Sequence, residues 1–461
     1  MALEFVDRRR LLAALAATAL MPGPAPAQRR SGRAIVIGAG VAGLACARDM
    51  VRAGLDVVVL EARTRIGGRI NTSRQWRDLP VELGASRIRG AGSNPAAGAA
   101  RDAGLELRRV DDRNRAVYEA GEGLLGDLAL ARLETVEDRL RDYAASAPGE
   151  ALERACRSRP RGTLADRLSR LVGLDATGAS KRQRRQFALN ALVEYEYGAD
   201  FERVSRCFWT GGEDARGDDA LVIGGLDRLA QSLAGGLDIR LGQRVERVSY
   251  HGSGVAVTTA AGRESADVVV VTVPLGVLQA GRIRFDPGLP PAKTAAIAAL
   301  GSGLLNKCLL KFDAVRWPRN IEFFHRLADE RGEWSEFANL AAYGEGAVLA
   351  GFNAGTFARE LEGASDAQTG QLALEALRSM FGSGFPEPSG VQVTRWAGDE
   401  NAYGSFSFPT ADTRSDSRIR LLDAIDGRVF FAGEATSTNA PGTVHGALRS
   451  GRAAALAVVE R

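Results

Sequence analysis

The chain has 461 residues, 45% of them hydrophobic and 25% charged, and carries a formal net charge of +4. That length supports two or three domains with full cores, in a composition ordinary for a globular fold. So small a charge over so long a chain leaves no footprint for nucleic acid, and no apolar run is long enough to span a bilayer. Of the 60 basic residues only Lys181, Lys293, Lys307 and Lys311 are lysines, so each position that keeps lysine asks for a reason.

The first residues read as an address. Arg8-Arg9-Arg10-Leu11-Leu12, an apolar run to Met21 and the small-residue site Ala25-Pro26-Ala27 form the n-region, h-region and cleavage site of an export signal, residues 1–27. Paired arginines before two leucines point to the twin-arginine machinery and so to a periplasmic or secreted product without a stable membrane anchor. That compartment permits a bridge between Cys156 and Cys207, which the sequence leaves open, whereas Cys46 and Cys308 are expected to be buried thiols. The cysteines lack metal-type spacing, so no metal site is expected.

Residues 33–37 (RAIVI) read as a buried strand, and Gly38-Ala39-Gly40-Val41-Ala42-Gly43 follows at once. A helical stretch runs to Gly54, and a second strand, 55–60, ends at Glu61. Strand, glycine turn, helix, strand and acid make the dinucleotide fingerprint in its full context. Gly38, Gly40, Ala42 and Gly43 bring backbone and a helix N-terminus to a pyrophosphate, and Glu61 accepts hydrogen bonds from ribose hydroxyls.

The continuation Glu61-Ala62-Arg63-Thr64-Arg65-Ile66-Gly67-Gly68-Arg69 adds a second glycine turn with arginine, and here the chain resembles the FAD-binding amine oxidase superfamily. The resemblance implies FAD, with Ala62, Arg63, Gly68 and Arg69 along its phosphates and ribityl chain. In VELGASRIRG (81–90) it implies Gly84, Ala85, Ser86 and Arg87 beside the cofactor. It also sets Arg89 where many polyamine oxidases use a histidine or an acid to recognise the amine. Arg89 could face phosphate, pair with an acid or meet a substrate carboxylate. Residues 223–250 read as helix, strand, turn, strand, and VVVVTVPLGVL (268–278) as a buried strand ending in Thr272-Val273-Pro274. The family completes its FAD domain with such segments, which implies cofactor contacts at Val245, Thr272 and Pro274.

LLNKCLLKF (304–312) sets a lysine inside an apolar, strand-like run, where an unpaired ammonium is costly to bury. Alternation puts Leu305, Lys307, Leu309 and Lys311 on one face. The segment resembles that of polyamine oxidases and lysine-specific histone demethylases, which implies that Lys307 holds a water against flavin N5 and aids reoxidation by dioxygen. A point charge whose pKa burial lowers suits this better than arginine. In RWAGDENAYGSFSFP (395–409) the resemblance places Trp396 beside the isoalloxazine. Ser405 stands where monoamine oxidases carry a flavin-linked cysteine, so non-covalent FAD is expected.

RVFF (428–431) reads as a strand, followed by Gly433 and Glu434, which in the family meet the cofactor. A long alanine-rich helix then opens at Thr443 and Val444, and the resemblance implies that its N-terminus points toward the flavin pyrimidine ring, where it would stabilise negative charge. His445 is expected to be structural. Tyr195, Tyr197 and Tyr343 are candidates for lining the substrate pocket.

The expected fold is α/β. A Rossmann-like FAD-binding domain is built from the discontinuous segments 28–85, 216–290 and 396–461, and an α+β substrate-binding domain from 86–215 and 291–395. The expected function is FAD-dependent oxidation of a C–N bond in a (poly)amine. Hydride passes to flavin, the imine hydrolyses to a carbonyl product, and dioxygen is reduced to hydrogen peroxide. The alternatives are an L-amino-acid oxidase-like enzyme using Arg89 for a carboxylate, and a non-catalytic, flavin-loaded binding protein.

Overall fold

A computed structural model of the chain describes residues 32–77, 79–119, 121–145, 162–163, 179–208, 216–328 and 331–461. The export signal and Cys156 lie outside the described residues. A five-stranded parallel sheet runs in the order Val429–Phe431, Val268–Val271, Arg33–Ile37, Asp56–Leu60, Asp238–Arg240. Its central strands are unbroken runs of Val, Ile and Leu because both faces are covered. Ala34 and Val36 pack under the helix Val41–Arg52 and the closing helix Val444–Val459. Their neighbours Ile35 and Ile37 point the other way, against Val245, Val248, Val255 and Val257 of a four-stranded sheet.

The strand expected to continue beyond Val271 stops there. Pro274 caps a short helix, Leu275–Gln279, because proline lacks the N–H that a further ladder position needs. The segment 223–250 yields the helix Asp227–Ala234 and the strands Asp238–Arg240 and Val245–Ser249, as expected.

The second large sheet has seven strands, in the order Gly390–Val393, Leu305–Lys311, Val348–Ala354, Glu336–Asn339, Phe323–Leu327, Arg115–Glu119, Gly123–Leu124. One face packs Cys308, Leu310, Phe324, Phe337 and Leu349 against the helix Asp366–Phe381. Two-residue alternation then turns Lys307 and Leu309 to the opposite face, where Leu309 meets Trp76 and Val81. Cys46 and Cys308 are free and buried, and Cys207 is disulfide-bonded.

The first and last helices touch backbone to backbone. A Cβ on Gly451 would lie 2.1 Å from the Ala42 carbonyl oxygen. Gly451→Val is therefore expected to push the closing helix away and destabilise the protein by about 1–3 kcal/mol, read as a lower urea midpoint at unchanged m-value.

Candidate active site

The glycine turn is shaped by what its glycines must avoid. Gly38 has φ +107°, and a Cβ there would lie 2.8 Å from Thr272 Oγ1; one on Gly43 would lie 1.9 Å from the Gly38 carbonyl oxygen. Thr272 Oγ1 donates to the Ile37 carbonyl at 2.8 Å, fixing the turn to the neighbouring strand. A Cβ on Gly40 or Gly433, by contrast, would meet nothing within 4 Å, so both border open space at the C-terminal end of the sheet. Gly68, with φ +59°, lies against Gly40.

The Glu61 carboxylate is buried beside this turn, with Oε2 accepting from Ala39 N at 2.7 Å and Oε1 from Arg63 N at 2.8 Å. A carboxylate has about four lone-pair positions, so acceptor capacity remains for hydroxyls. Ala62 is half-buried between these two residues, and Arg63 pairs with Asp399 at 2.9 Å. Val245 is buried at the head of its strand, where the pairing register slips by a residue.

Arg69 donates to Glu434 at 2.8 Å and to the Ser405 carbonyl at 2.9 Å. Burial disfavours a charged Glu434, but Arg69, Ser407 and Arg418 outweigh it and hold the carboxyl below the usual range. Glu434 also accepts from Gly442 N at 2.8 Å, which anchors the loop leading to the closing helix. Thr443 caps that helix, its Oγ1 accepting from Gly446 N at 3.0 Å, and Val444 is its first residue. His445 is buried, with Nδ1 3.0 Å from Asn94 Nδ2. A recess lined by Arg69, Val273, Pro274, Gly433 and Glu434 adjoins the open space. Open glycine edges, a buried acceptor and a helix N-terminus fit a dinucleotide cofactor.

Lys307 and Trp396 reach the same three residues from different elements. Lys307 Nζ donates to the carbonyls of Glu82 at 3.0 Å and Gly84 at 2.6 Å. Trp396 Nε1 donates to the carbonyl between them, Leu83, at 3.3 Å. The lysine backbone is set by Thr394, whose Oγ1 accepts from Lys307 N at 2.8 Å, and the tryptophan backbone by Asn306 Oδ1 at 3.1 Å. Burial lowers the pKa of Lys307, Glu82 opposes that shift and Arg87 adds to it. Ser405 Oγ is held by both Leu305 backbone groups at 2.9 Å, and Ala85 N donates to the Arg69 carbonyl at 3.1 Å. Ser86 is half-buried in the same segment.

The candidate substrate residues divide. Arg89 makes two hydrogen bonds to Glu196, at 2.6 and 2.5 Å, so its fork is taken by an internal acid rather than offered to an incoming carboxylate. Arg87 pairs with Asp112 at 2.5 Å and lies 5.5 Å from the Phe323 ring centroid. Tyr195 donates to the Phe352 carbonyl at 2.8 Å and accepts from Ser335 N at 3.2 Å, after the π-helical turn Asn190–Glu194. Tyr197 packs against the apolar cluster of Val193 and Phe408. Tyr343 is a core residue beside Val110 and Phe323, with its hydroxyl on Glu322 at 2.6 Å. Its polar end is thereby committed within the fold.

Strand register supplies a residue that sequence reading missed. Lys307 stands opposite Phe352, and the pairing Phe337↔Gly351 carries Phe352 on to Glu336, which stands opposite His325. Opposed residues share a sheet face, so Lys307, Phe352, Glu336 and His325 form one row. Lys307 Nζ lies 5.6 Å from the Phe352 ring centroid. Glu336 keeps 17% of its side chain exposed, and its sole ion-pair neighbour among the described residues is His325 at 3.7 Å. Burial brings His325 down to about 3, so it is neutral, and pushes Glu336 up to about 7.

The family model described as flavin containing amine oxidoreductase matches residues 41–459. Lysine-specific histone demethylase 1 homolog 1 of Oryza sativa subsp. japonica is 34% identical over 437 residues, covering 90% of this chain and 51% of the relative. Polyamine oxidase 4 of the same plant is 34% identical over 436 residues, covering 91% and 87%. Polyamine oxidase 2 of Arabidopsis thaliana is 35% identical over 436 residues, covering 92% and 88%. The chain thus spans about half the length of the demethylase homologue and most of the two oxidases. Putrescine oxidase, in a structure with putrescine bound, shares the fold with a TM-score of 0.77 at 19% identity, covering 94% of this chain and 100% of that one.

Proposed function

Because the chain belongs to the flavin-containing amine oxidoreductase family, we propose that it binds FAD and oxidises the C–N bond of a small polyamine with dioxygen as acceptor. The chemistry supplied by bound FAD is removal of a hydride equivalent from the amine's α-carbon, returned to dioxygen as hydrogen peroxide while the imine hydrolyses to a carbonyl product. Glu61 receives ribose hydroxyls, the turn Gly38–Gly43 and its helix receive the pyrophosphate, and Arg69, Gly433 and Glu434 line the remainder. The N-terminus of the closing helix, at Thr443 and Val444, would stabilise negative charge on the bound cofactor's ring. Ser405 has no thiol to form a thioether and its Oγ is occupied by Leu305, so FAD is held non-covalently.

The observation that carries the reading is the convergence of Lys307 and Trp396 on the carbonyls of residues 82–84. Two carbonyls take two of the three donors of the lysine ammonium, which would leave one N–H for a water beside the bound cofactor. A panel of putrescine, spermidine, spermine, N-acetylspermidine, simple monoamines and amino acids, titrated without oxygen, decides the substrate class. Polyamines are expected to bleach the flavin and amino acids to leave it yellow; bleaching by amino acids alone would reverse the reading. In Lys307→Met, fold and flavin uptake are retained and turnover slows, whereas unchanged rates in both half-reactions would remove Lys307 from the site.

The polyamine class is supported by Glu336, which lies two strands from Lys307, about 10 Å at the usual strand spacing; Arg87 and Arg115 act on it from a distance, but among the described residues neither comes within ion-pair distance of it. It can receive a distal ammonium while the reacting carbon lies nearer the lysine. Arg89 lacks the freedom that the amino-acid alternative requires. Glu336→Gln is expected to raise KM for diamines about tenfold or more and to change KM for monoamines little. A carboxyl raised to about 7 is neutral below that pH. Diamine KM should therefore rise as pH falls through 7 in the wild type, and not in Glu336→Gln.

Export through the twin-arginine pathway is part of the proposal, supported by Arg8-Arg9-Arg10-Leu11-Leu12 and Ala25-Pro26-Ala27. The disulfide at Cys207 suits an oxidising compartment. In a bacterium with that pathway the secreted chain is expected to begin at Gln28, and Arg9→Lys with Arg10→Lys to hold it inside; N-terminal sequencing and fractionation read both.

A further inference from the structure

The strand of Lys307 carries a polar group on its other face that the proposed reaction does not use. Asn306 precedes the lysine and, by alternation, shares the face of Cys308 and Leu310. It is buried, and its Oδ1 accepts from Trp396 N at 3.1 Å and from Thr394 Oγ1 at 3.2 Å. Thr394 Oγ1 in turn accepts from Lys307 N at 2.8 Å. Only oxygen can answer a backbone N–H, so the side-chain amide is fixed with its NH2 away from Trp396 N. That NH2 donates to Glu362 Oε1 at 2.9 Å. Glu362 follows the short helix Gly355–Leu361 and gives its carboxylate to the tryptophan loop as well. Oε1 also accepts from Ala397 N, and Oε2 from Gly398 N, both at 2.8 Å. Arg395 ties the same turn back to the loop, donating to the carbonyls of Glu362 at 3.3 Å and Ala364 at 2.6 Å.

We propose that Glu362 is a positioning residue, whose carboxylate, acting through Asn306 and the tryptophan loop, sets the amine of Lys307 and the indole of Trp396 in register with each other. The proposal rests on the reading of those two as the flavin-side residues. Lys307 is fixed along its strand by the pairing with Phe352. Trp396 lies beyond the strand Gly390–Val393, and its N–H goes to a side chain instead of a ladder. Three consecutive loop N–H groups, of Trp396, Ala397 and Gly398, are thus held by Asn306 and Glu362 alone. Were the Asn306 amide turned over, its NH2 would meet the Trp396 N–H, and the carbonyl would meet the carboxylate. Glu362 therefore selects the amide orientation that holds the tryptophan backbone, and the same oxygen accepts from Thr394 over the lysine backbone.

The chain has 5 tryptophans and few lysines, so nitrogen-15 in the indoles and carbon-13 at lysine Cε report each residue. The signals of Trp396 and Lys307 are those lost in Trp396→Phe and Lys307→Met. In flavin-loaded protein, Glu362→Ala is expected to move both and to leave those of Trp317 and Lys293 in place. It should also lower kcat about tenfold with KM for the amine little changed. Signals of Trp396 and Lys307 that stay in place overturn the proposal, as does an equal displacement of all the tryptophans, which marks general loosening. Asn306→Asp sets a second carboxylate against that of Glu362, and adding Glu362→Gln removes the repulsion. The double variant should therefore recover part of the signal positions and of kcat lost in Asn306→Asp. No recovery overturns the proposal, and this pair supplies the test should Glu362→Ala fail to fold. If the two signals move while no amine bleaches the flavin, the positioning stands and the amine-oxidation reading falls. If polyamines bleach it and the signals stay, the reverse holds.

Discussion

Three successive carbonyls, those of Glu82, Leu83 and Gly84, are the constraint on which the site depends. They accept from Lys307 and Trp396, residues that arrive from a strand and from a loop nearly 90 positions later. The segment can stand there because Gly84 has no side chain; a Cβ on it would lie 1.9 Å from the Arg69 carbonyl oxygen. Arg69 in turn binds Glu434, and Glu434 binds Gly442 N ahead of the closing helix. Backbone contacts and a buried ion pair thus connect the lysine's acceptors to segments near both ends of the chain.

Two buried lysines follow one rule. Lys293 Nζ donates to the carbonyls of Arg420 and Leu421 at 2.9 and 2.8 Å and lies 4.0 Å from the Phe431 ring centroid. Lys307 likewise donates to two carbonyls and faces an aromatic ring. A compact ammonium can satisfy converging main-chain acceptors in a space too narrow for a planar guanidinium. This is a physical reason for an arginine-rich chain to keep lysine at both places. The two arginines of this segment behave differently: Arg89 is forked onto Glu196, and Arg87 pairs through one nitrogen with Asp112. Glu336 is the acid in the row that no arginine or lysine reaches within ion-pair distance among the described residues, which suits it to a cationic substrate.

The nucleotide end was legible because its physics is local. Gly38 needs positive φ, Gly43 must clear a carbonyl within five residues, and Glu61 accepts from the Arg63 N–H two residues on. Lys307 was conspicuous for a similar reason, as an ammonium in an apolar run. Glu336 was not, since acids on the faces of ordinary strands carry no mark of their own. Glu336 gains meaning from sitting across Phe352 and opposite a neutral His325. Arg89 was ambiguous for want of Glu196, more than 100 residues away.

The order of residues along the chain by itself determined the glycine turns, the alternation that turns Lys307 away from its core-facing neighbours, and the helix whose cap is Thr443. These depend on backbone sterics and periods of a few residues. Tertiary structure alone decided which carboxylates are neutralised and which are left for a ligand. Ion pairing and desolvation depend on distances between segments that only the closed fold brings together.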